Sequence, residues 1–157
     1  MPNLDAIDVT ARLVVAVLAG AVLGINRDLH HKPAGLRTHA LVSLGSATAC
    51  VVSLTAVGAD ANAVSRVIQG LVTGVGFIGA GVILHHDKEH RIYGLTTAAS
   101  IWIAAALGAA CGGGTWLTVL LALALTMLVL ALGGPIEKAF ERKFRPKGED
   151  TSPDPTG

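Results

Sequence analysis

The sequence has little charge and few aromatic residues. Only 15% of its 157 residues are charged and 4% are aromatic, and the formal net charge is +1. Ordinary soluble domains carry about 25% charged residues, so this balance excludes a typical soluble enzyme. Nucleic-acid binding needs basic patches, and single strands are bound by stacking on aromatic side chains. This chain offers neither, and we predict no nucleic-acid partner.

Cysteine is equally scarce. Cys50 and Cys111 lie in apolar or glycine-rich surroundings without the C-x-x-C spacing of metal or redox sites. The chain also lacks an H-E-x-x-H motif, a phosphate-binding P-loop and a nucleophile with both a base and an orienting acid. We therefore predict no enzyme, no cofactor and no disulfide framework, with both cysteines packing as small apolar residues.

Long apolar runs dominate what remains, since 52% of the residues are hydrophobic. A membrane-spanning helix needs about 20 mostly apolar residues. Five runs approach this length, and short polar loops join them. The sequence thus predicts an all-α integral membrane protein with about five transmembrane helices, at Val9–Ile25, His39–Val57, Val67–Leu84, Leu95–Ala110 and Trp116–Leu132.

The distribution of lysine and arginine predicts an orientation. With the N-terminus outside the cell and the C-terminus in the cytoplasm, ten of the twelve basic residues fall in cytoplasmic segments, and only Arg12 and Arg66 fall outside. Basic residues in short loops are retained on the cytoplasmic side. We therefore expect a membrane protein with this orientation, whose six histidines all lie at the cytoplasmic face.

The sequence resembles itself at an offset of 59 residues. The offset aligns Asp28 with Asp87, Gly35-Leu36 with Gly94-Leu95 and Thr38 with Thr97, without a gap. The matches include two polar loops, which shared apolar composition does not explain. We interpret the first four helices as two parallel copies of a helical hairpin, related by a pseudo-twofold axis along the membrane normal. The fifth helix is an addition.

Glycine is concentrated in the third run. In water each glycine costs a helix about 1 kcal/mol relative to alanine, so something must offset it. Small residues let helices approach closely in lipid, and we expect a glycine-rich central third helix that packs on two sides. The alternative is a helix break that exposes backbone carbonyls. The first run has a similar stripe of small residues, formed by Ala16, Gly20 and Gly24. This stripe could pack against another helix of the bundle or against a second copy of the chain in a homo-oligomer. The predicted packing glycines are Gly20, Gly24, Gly70, Gly74, Gly76, Gly79 and Gly81.

Acidic residues are missing from the apolar runs, and all eleven aspartate and glutamate residues lie outside them. Carboxylates are usual ligands of Mg²⁺ and Ca²⁺, and intramembrane acids commonly mark ion routes. Their absence weakens a transport function, although a filter lined by carbonyls stays open as an alternative.

Polar residues at the helix ends are the candidates for binding an anion or a partner protein. Thr38 is predicted to cap the second helix, and the repeat places Thr97 equivalently in the fourth. Helix N-termini attract anions, so a phosphate, a lipid headgroup or an acidic segment could bind there. Ordinary capping and positive-inside anchoring are the alternative. The candidates are Arg27, Arg37, Thr38, His39, Arg66, Gln69, Thr96 and Thr97.

The loop histidines allow a further alternative, a transition-metal or proton-sensing site. Solvated loop histidines are commoner, and we predict no metal. The residues concerned are His30, His31, His85, His86 and His90.

The C-terminal region changes character after Gly133-Gly134-Pro135. Apolar residues at a spacing of four, Ile136, Phe140 and Phe144, alternate with charges, which predicts a short amphipathic helix on the inner leaflet. We therefore divide the chain into a transmembrane domain (7–133), an amphipathic juxtamembrane segment (134–145) and a disordered tail (146–157).

Four longer motifs follow one another along the apolar part of the chain. They are Pro33-Ala-Gly-Leu-Arg-Thr-His39, Ser65-Arg-Val-Ile-Gln-Gly70, Thr73-Gly-Val-Gly-Phe-Ile-Gly-Ala-Gly-Val82 and Gly94-Leu-Thr-Thr-Ala-Ala-Ser-Ile-Trp102. Together they resemble the MgtC/SapB family of bacterial inner-membrane proteins. The resemblance implies a link to growth in low magnesium and to virulence. It also implies a regulator with the F-type ATP synthase as a candidate partner. Asn26 departs from the acidic residue that often precedes Arg27 in the family, and we expect no C-terminal cytosolic domain of the kind that longer members carry.

Two functions therefore compete at this point. The first is a membrane regulator that docks against the helices of another complex in the lipid bilayer and affects magnesium acclimation. The alternative is a small oligomeric transporter or channel for magnesium or another ion.

Overall fold

The computed structural model describes residues 4–56, 60–84 and 94–144, and in these ranges it contains five α-helices and no strand. All five are long and apolar enough to cross a membrane, which confirms the predicted all-α membrane fold. Each helix covers nearly all of one predicted run. The helices are α1 (Ala6–Leu29), α2 (Leu36–Ala56), α3 (Ala61–Leu84), α4 (Leu95–Gly112) and α5 (Trp116–Phe144).

A tight turn joins α1 to α2. His31 and Ala34 have positive φ angles of 51° and 59°, and the side chain of Asp28 closes the turn by accepting a hydrogen bond of 2.9 Å from the backbone N–H of Leu36. Asp28 thus caps α2 from outside the helix. The prediction that Thr38 is the N-cap was wrong, because the capped helix already begins at Leu36.

The central helix is α4, which packs against the other four. Half of its membrane-spanning residues are buried, compared with 11% in α3 and 6% in α5. The prediction of a central third helix was therefore wrong. On α3, Val75 and Gly79 face the bundle, whereas Gly70, Gly74, Gly76 and Gly81 have no neighbour where a side chain would start. Because α4 carries its own small residues, it takes the central place.

Close helix contacts occur at two pairs of glycines. A methyl group on Gly20 would overlap the His39 carbonyl, and one on Gly24 would overlap the backbone of Leu36. Gly108 lies against the backbone of Ser43 in the same way, and Gly112 lies against Ala47. The helices α1, α2 and α4 therefore touch almost backbone to backbone. The stripe that begins at Ala16, which is fully buried, is covered and is not available to a second copy.

The packing follows the sequence repeat. Gly20 contacts His39 and Ala40 between α1 and α2, and Gly79 contacts Ala98 between α3 and α4. Gly79 and Ala98 stand 59 positions after Gly20 and His39. The starts of α2 and α4 differ by the same offset. The two hairpins thus use equivalent positions for their internal contacts.

The last helix is longer than a membrane requires. Its 29 residues correspond to about 43 Å, whereas the hydrocarbon core is about 30 Å thick. It passes through Gly133, Gly134 and Pro135 without a break. The amphipathic segment is therefore the end of α5, where the sequence suggested a separate helix. Residues 145–157, including the predicted tail, lie outside the described part.

At the side of the bundle where α1 begins, Arg12 connects two helices. Its Nε donates 2.9 Å to the carboxylate of Asp8, and its Nη1 donates 2.6 Å to the carbonyl of Gly112 at the end of α4. A cation there stabilises the negative end of the α4 dipole. We call this side of the bundle the N-terminal side.

Candidate functional site

A cluster of four polar side chains is buried where α1, α2 and α4 meet, near the side opposite the N-terminal side. Arg27 is 5% exposed and His39 is fully buried, while Thr97 and Ser100 are 2% and 3% exposed. Buried polar groups in a membrane protein are costly unless they are paired. We refer to these residues as the polar cluster.

Arg27 connects α1 to α4. Its Nη2 donates a hydrogen bond of 2.7 Å to the hydroxyl of Thr97, in the first turn of α4, while its buried Nε has no hydrogen-bond partner in the described ranges. No carboxylate in the part of the chain that the structure describes forms an ion pair with Arg27. A positive charge therefore sits at the positive end of a helix without a described counter-charge.

His39 connects α2 to α4. Its Nδ1 lies 3.0 Å from the carbonyl of Gly35, and its Nε2 lies 3.0 Å from the hydroxyl of Ser100, which itself lies 2.8 Å from the carbonyl of Thr97. A carbonyl only accepts, so Nδ1 carries a proton. In the neutral ring, Nε2 is an acceptor, and it competes with the Thr97 carbonyl for the single hydroxyl proton of Ser100. In a doubly protonated ring, Nε2 donates to the Ser100 oxygen, and Ser100 can then donate to the Thr97 carbonyl. Protonation of His39 thus decides which group Ser100 donates to.

The polar cluster connects three helices by hydrogen bonds. Within residues 4–56, 60–84 and 94–144, no group of three or more histidine, cysteine, aspartate or glutamate residues could hold a metal ion. The buried charge belongs to an arginine, which repels a cation. His30 and His31 are exposed, and His30 contacts its own helix at the Asn26 carbonyl. His85, His86 and His90 lie outside the described residues.

Three other predicted residues lie near the surface at the same side of the bundle. Arg37 and Thr96 are exposed, and Thr38 is partly buried. Arg37 and Thr38 line a shallow depression of about 340 Å³ together with Asp28. The Asp28 carboxylate already occupies the N-terminus of α2, so this helix end carries an anion from its own chain.

The remaining two, Arg66 and Gln69, lie on α3 and face away from the bundle. They are exposed along one stripe of this helix, which also carries the exposed side chain of Phe77. The hydroxyl of Thr73 donates 2.9 Å to the backbone carbonyl of Gln69, so it is paired within its own helix. We call this stripe the open face of α3; its residues are Arg66, Gln69, Gly70, Thr73, Gly74 and Phe77.

Sequence reasoning missed three functional groups. Ser100 looked like an ordinary hydroxyl in an apolar run, although its spacing of three from Thr97 places both on one helix face. Asp28 was noted only as a repeat match, and its capping role depends on the turn. Ser43 donates 2.7 Å to the carbonyl of Ala16, a bond between helices that no local pattern indicates.

Five bilayer-length helices around a buried polar cluster define a multi-pass membrane protein. The chain belongs to the MgtC family, whose model matches residues 13–139. It is 45% identical to the protein SrpB of Synechococcus elongatus, over 83% of this chain and 78% of that relative. It is 44% identical to the putative magnesium transporter YhiD of Escherichia coli, over 76% of this chain and 57% of that relative.

A third relative is the protein MgtC of Salmonella typhimurium, at 37% identity over 83% of this chain. The chain spans 53% of the length of MgtC and 57% of that of YhiD. No solved structure matches the chain significantly. The comparisons therefore establish the family and the membrane class.

Proposed function

We propose that this protein is a regulator in the bacterial inner membrane that acts by docking against the transmembrane helices of another protein complex, and that it is not an enzyme. The open face of α3 carries this proposal. It combines two glycines at a spacing of four, Gly70 and Gly74, with the polar side chains of Arg66 and Gln69, and all four are exposed.

A helix face of this composition suits protein better than lipid. The Gln69 amide has no hydrogen-bond partner within the described residues and would face hydrocarbon or headgroups in an isolated chain. In membranes, small residues allow helices to approach, and polar side chains form bonds between helices worth about 0.6 to 2 kcal/mol each. A partner helix on this face would satisfy Gln69 and cover both glycines.

Family membership suggests which process is regulated. The resemblance noted in the sequence links the family to magnesium acclimation and virulence, and it makes the F-type ATP synthase a candidate partner. We propose the same setting for this chain. Arg37, Thr38 and Thr96 then face the cytoplasm as candidate partner contacts. Since Asp28 already occupies the N-terminus of α2, the exposed guanidinium of Arg37 is the group that would bind an acidic or phosphate-bearing segment.

Transport is the second candidate function, since the relative YhiD is named a putative magnesium transporter. The buried Arg27 without a described acid speaks against a cation path through the polar cluster. Liposomes that contain only this protein, loaded with a magnesium-sensitive dye, distinguish the two. The regulator predicts no flux above empty liposomes, and flux that rises with protein content would establish transport.

The proposed orientation places the N-terminus in the periplasm and the C-terminus in the cytoplasm. Reporter fusions test it. A cytoplasm-active reporter after Phe144 should be active, whereas the same reporter in the connection between α2 and α3 should be silent. The reverse pattern would exclude this orientation.

The docking proposal is tested by Gly74→Leu, with Gly45→Leu as the matched control. Both glycines are exposed and have open space where a side chain starts, so neither substitution should disturb the single chain. We expect Gly74→Leu to insert normally but to lose complementation of growth in low magnesium, and Gly45→Leu to retain it. Arg37→Ala should also insert and impair function. Full activity of Gly74→Leu would overturn the docking proposal.

A further inference from the structure

An apolar cleft opens between α2, α3 and α4 toward the N-terminal side. Its volume is about 500 Å³. One wall comes from Cys50 and Leu54 of α2, and the other comes from Ile68 and Val72 of α3. The floor of the cleft is α4, which contributes Trp102 and several alanines, including Ala109.

The dimensions select a thin, chain-like occupant. A helix about 10 Å wide would fill 500 Å³ with little more than one turn. At about 30 Å³ for a group of the size of water, the volume of 500 Å³ holds about 16 such groups. This is the size of a lipid acyl chain.

One end of the cleft lies beside the ion pair that Arg12 forms with Asp8. Gly113 and Thr115, in the turn between α4 and α5, line the cleft, and the guanidinium of Arg12 lies against Gly114 between them. Its Nε and Nη1 are bonded to Asp8 and Gly112, while Nη2 has no hydrogen-bond partner in the described ranges. A phosphate group at the mouth would find a donor there.

We propose that this cleft binds one phospholipid, with an acyl chain between α2 and α3 and the headgroup phosphate at Arg12. The site shares no residue with the open face of α3 or with the polar cluster. The lipid-binding proposal can therefore be tested independently of the proposed regulatory function. A bound chain would also fill the space between α2 and α3, which otherwise make few contacts.

Native mass spectrometry of the full chain tests the proposal. Protein extracted in mild detergent from membranes that contain phosphatidylglycerol and phosphatidylethanolamine should retain one phospholipid. Ala109→Leu narrows the cleft and should reduce the lipid-bound fraction at least fivefold, while Ala124→Leu on the exposed side of α5 should leave it unchanged. An equal bound fraction in both variants and the unmodified chain would overturn the proposal.

A fluorescence experiment keeps the test valid even if Ala109→Leu does not fold. Trp102 and Trp116 are the two tryptophans, so Trp116→Phe leaves one reporter in the cleft. In nanodiscs, phosphatidylglycerol with brominated chains should quench Trp102 along a saturating curve at low mole fraction. A linear rise, as expected for bulk lipid, would contradict a bound lipid.

The role of Arg12 has its own readout. In the unmodified chain the retained lipid should favour phosphatidylglycerol over phosphatidylethanolamine. Arg12→Gln should abolish that preference and Arg12→Lys should keep it. Because the comparison is a ratio within one sample, it is insensitive to a change in folded yield. An unchanged ratio in Arg12→Gln would exclude the headgroup assignment.

Discussion

The guanidinium of Arg27 and the hydroxyl of Thr97 form a buried hydrogen bond of 2.7 Å across 70 residues of sequence. It connects the last turn of α1 to the first turn of α4. Since α4 is the helix that all others contact, this bond fixes one side of the first hairpin relative to the centre of the bundle. Its loss should therefore be measurable as reduced stability.

Thr97→Val tests this bond directly. Valine has nearly the same shape as threonine but cannot accept the Arg27 proton, and it would leave a buried charged donor unpaired. We expect the free energy of unfolding in detergent to fall by about 1 to 3 kcal/mol. Thr97→Ser keeps the hydroxyl and should lose less.

Thr126→Val is the matched control, because the Thr126 hydroxyl bonds only to Ala122 in its own helix. It should change the free energy of unfolding by less than about 0.5 kcal/mol. Equal losses for Thr97→Val and Thr126→Val would show that the bond to Arg27 contributes nothing specific.

Glycine substitutions should divide into two classes. Gly108→Ala places a methyl group on the Ser43 backbone, so α2 and α4 must move apart. We expect a loss of about 1 to 3 kcal/mol, as for overpacked cores. Gly70→Ala meets no neighbour and should leave the stability of the isolated chain unchanged or raise it by up to about 1 kcal/mol through helix propensity. Thermal unfolding of both variants in one detergent shows which of them is the less stable. A Gly70→Ala variant less stable than the Gly108→Ala variant would contradict the described packing.

The cap of α2 predicts a difference between two substitutions of Asp28. Asparagine retains an acceptor for the Leu36 N–H, whereas alanine removes it. Asp28→Ala should cost about 0.5 to 2 kcal/mol, and Asp28→Asn should cost clearly less. Hydrogen exchange of the Leu36 amide gives a local readout, with faster exchange in the alanine variant only. Equal exchange rates would mean that the side chain does not cap the helix.

The positions of the helices could be predicted from the sequence, because apolar length alone determines which segments can span a bilayer. The shared offset of Leu36 and Leu95 likewise followed from the repeat. The direction in which each glycine faces could not be predicted. Gly74 and Gly108 both lie among small apolar residues in the sequence. Only the arrangement of the neighbouring helices leaves Gly74 without a neighbour and places Gly108 against Ser43.

The candidate site was predicted in part for a similar reason. Arg27 stands out as a charge at the end of an apolar run, and His39 stands out at the start of another. Ser100 does not stand out, and its role appears only when α2 and α4 are side by side. Arg66 and Gln69 were predicted as polar residues that could bind a partner, but their position opposite the packed side of α3 depends on the place of α4.

Photo-crosslinking in native membranes tests the central claim most directly. Phe77 is 83% exposed on the open face of α3, and Leu41 is 67% exposed on α2; each is replaced in turn by a benzoyl-phenylalanine crosslinker. Docking through α3 predicts that the crosslinker at position 77 captures a different membrane protein and that the one at position 41 captures mainly lipid. Two results would contradict the account. One is that the crosslinker at position 77 captures only lipid or a second copy of this chain, and the other is that both positions capture the same protein equally.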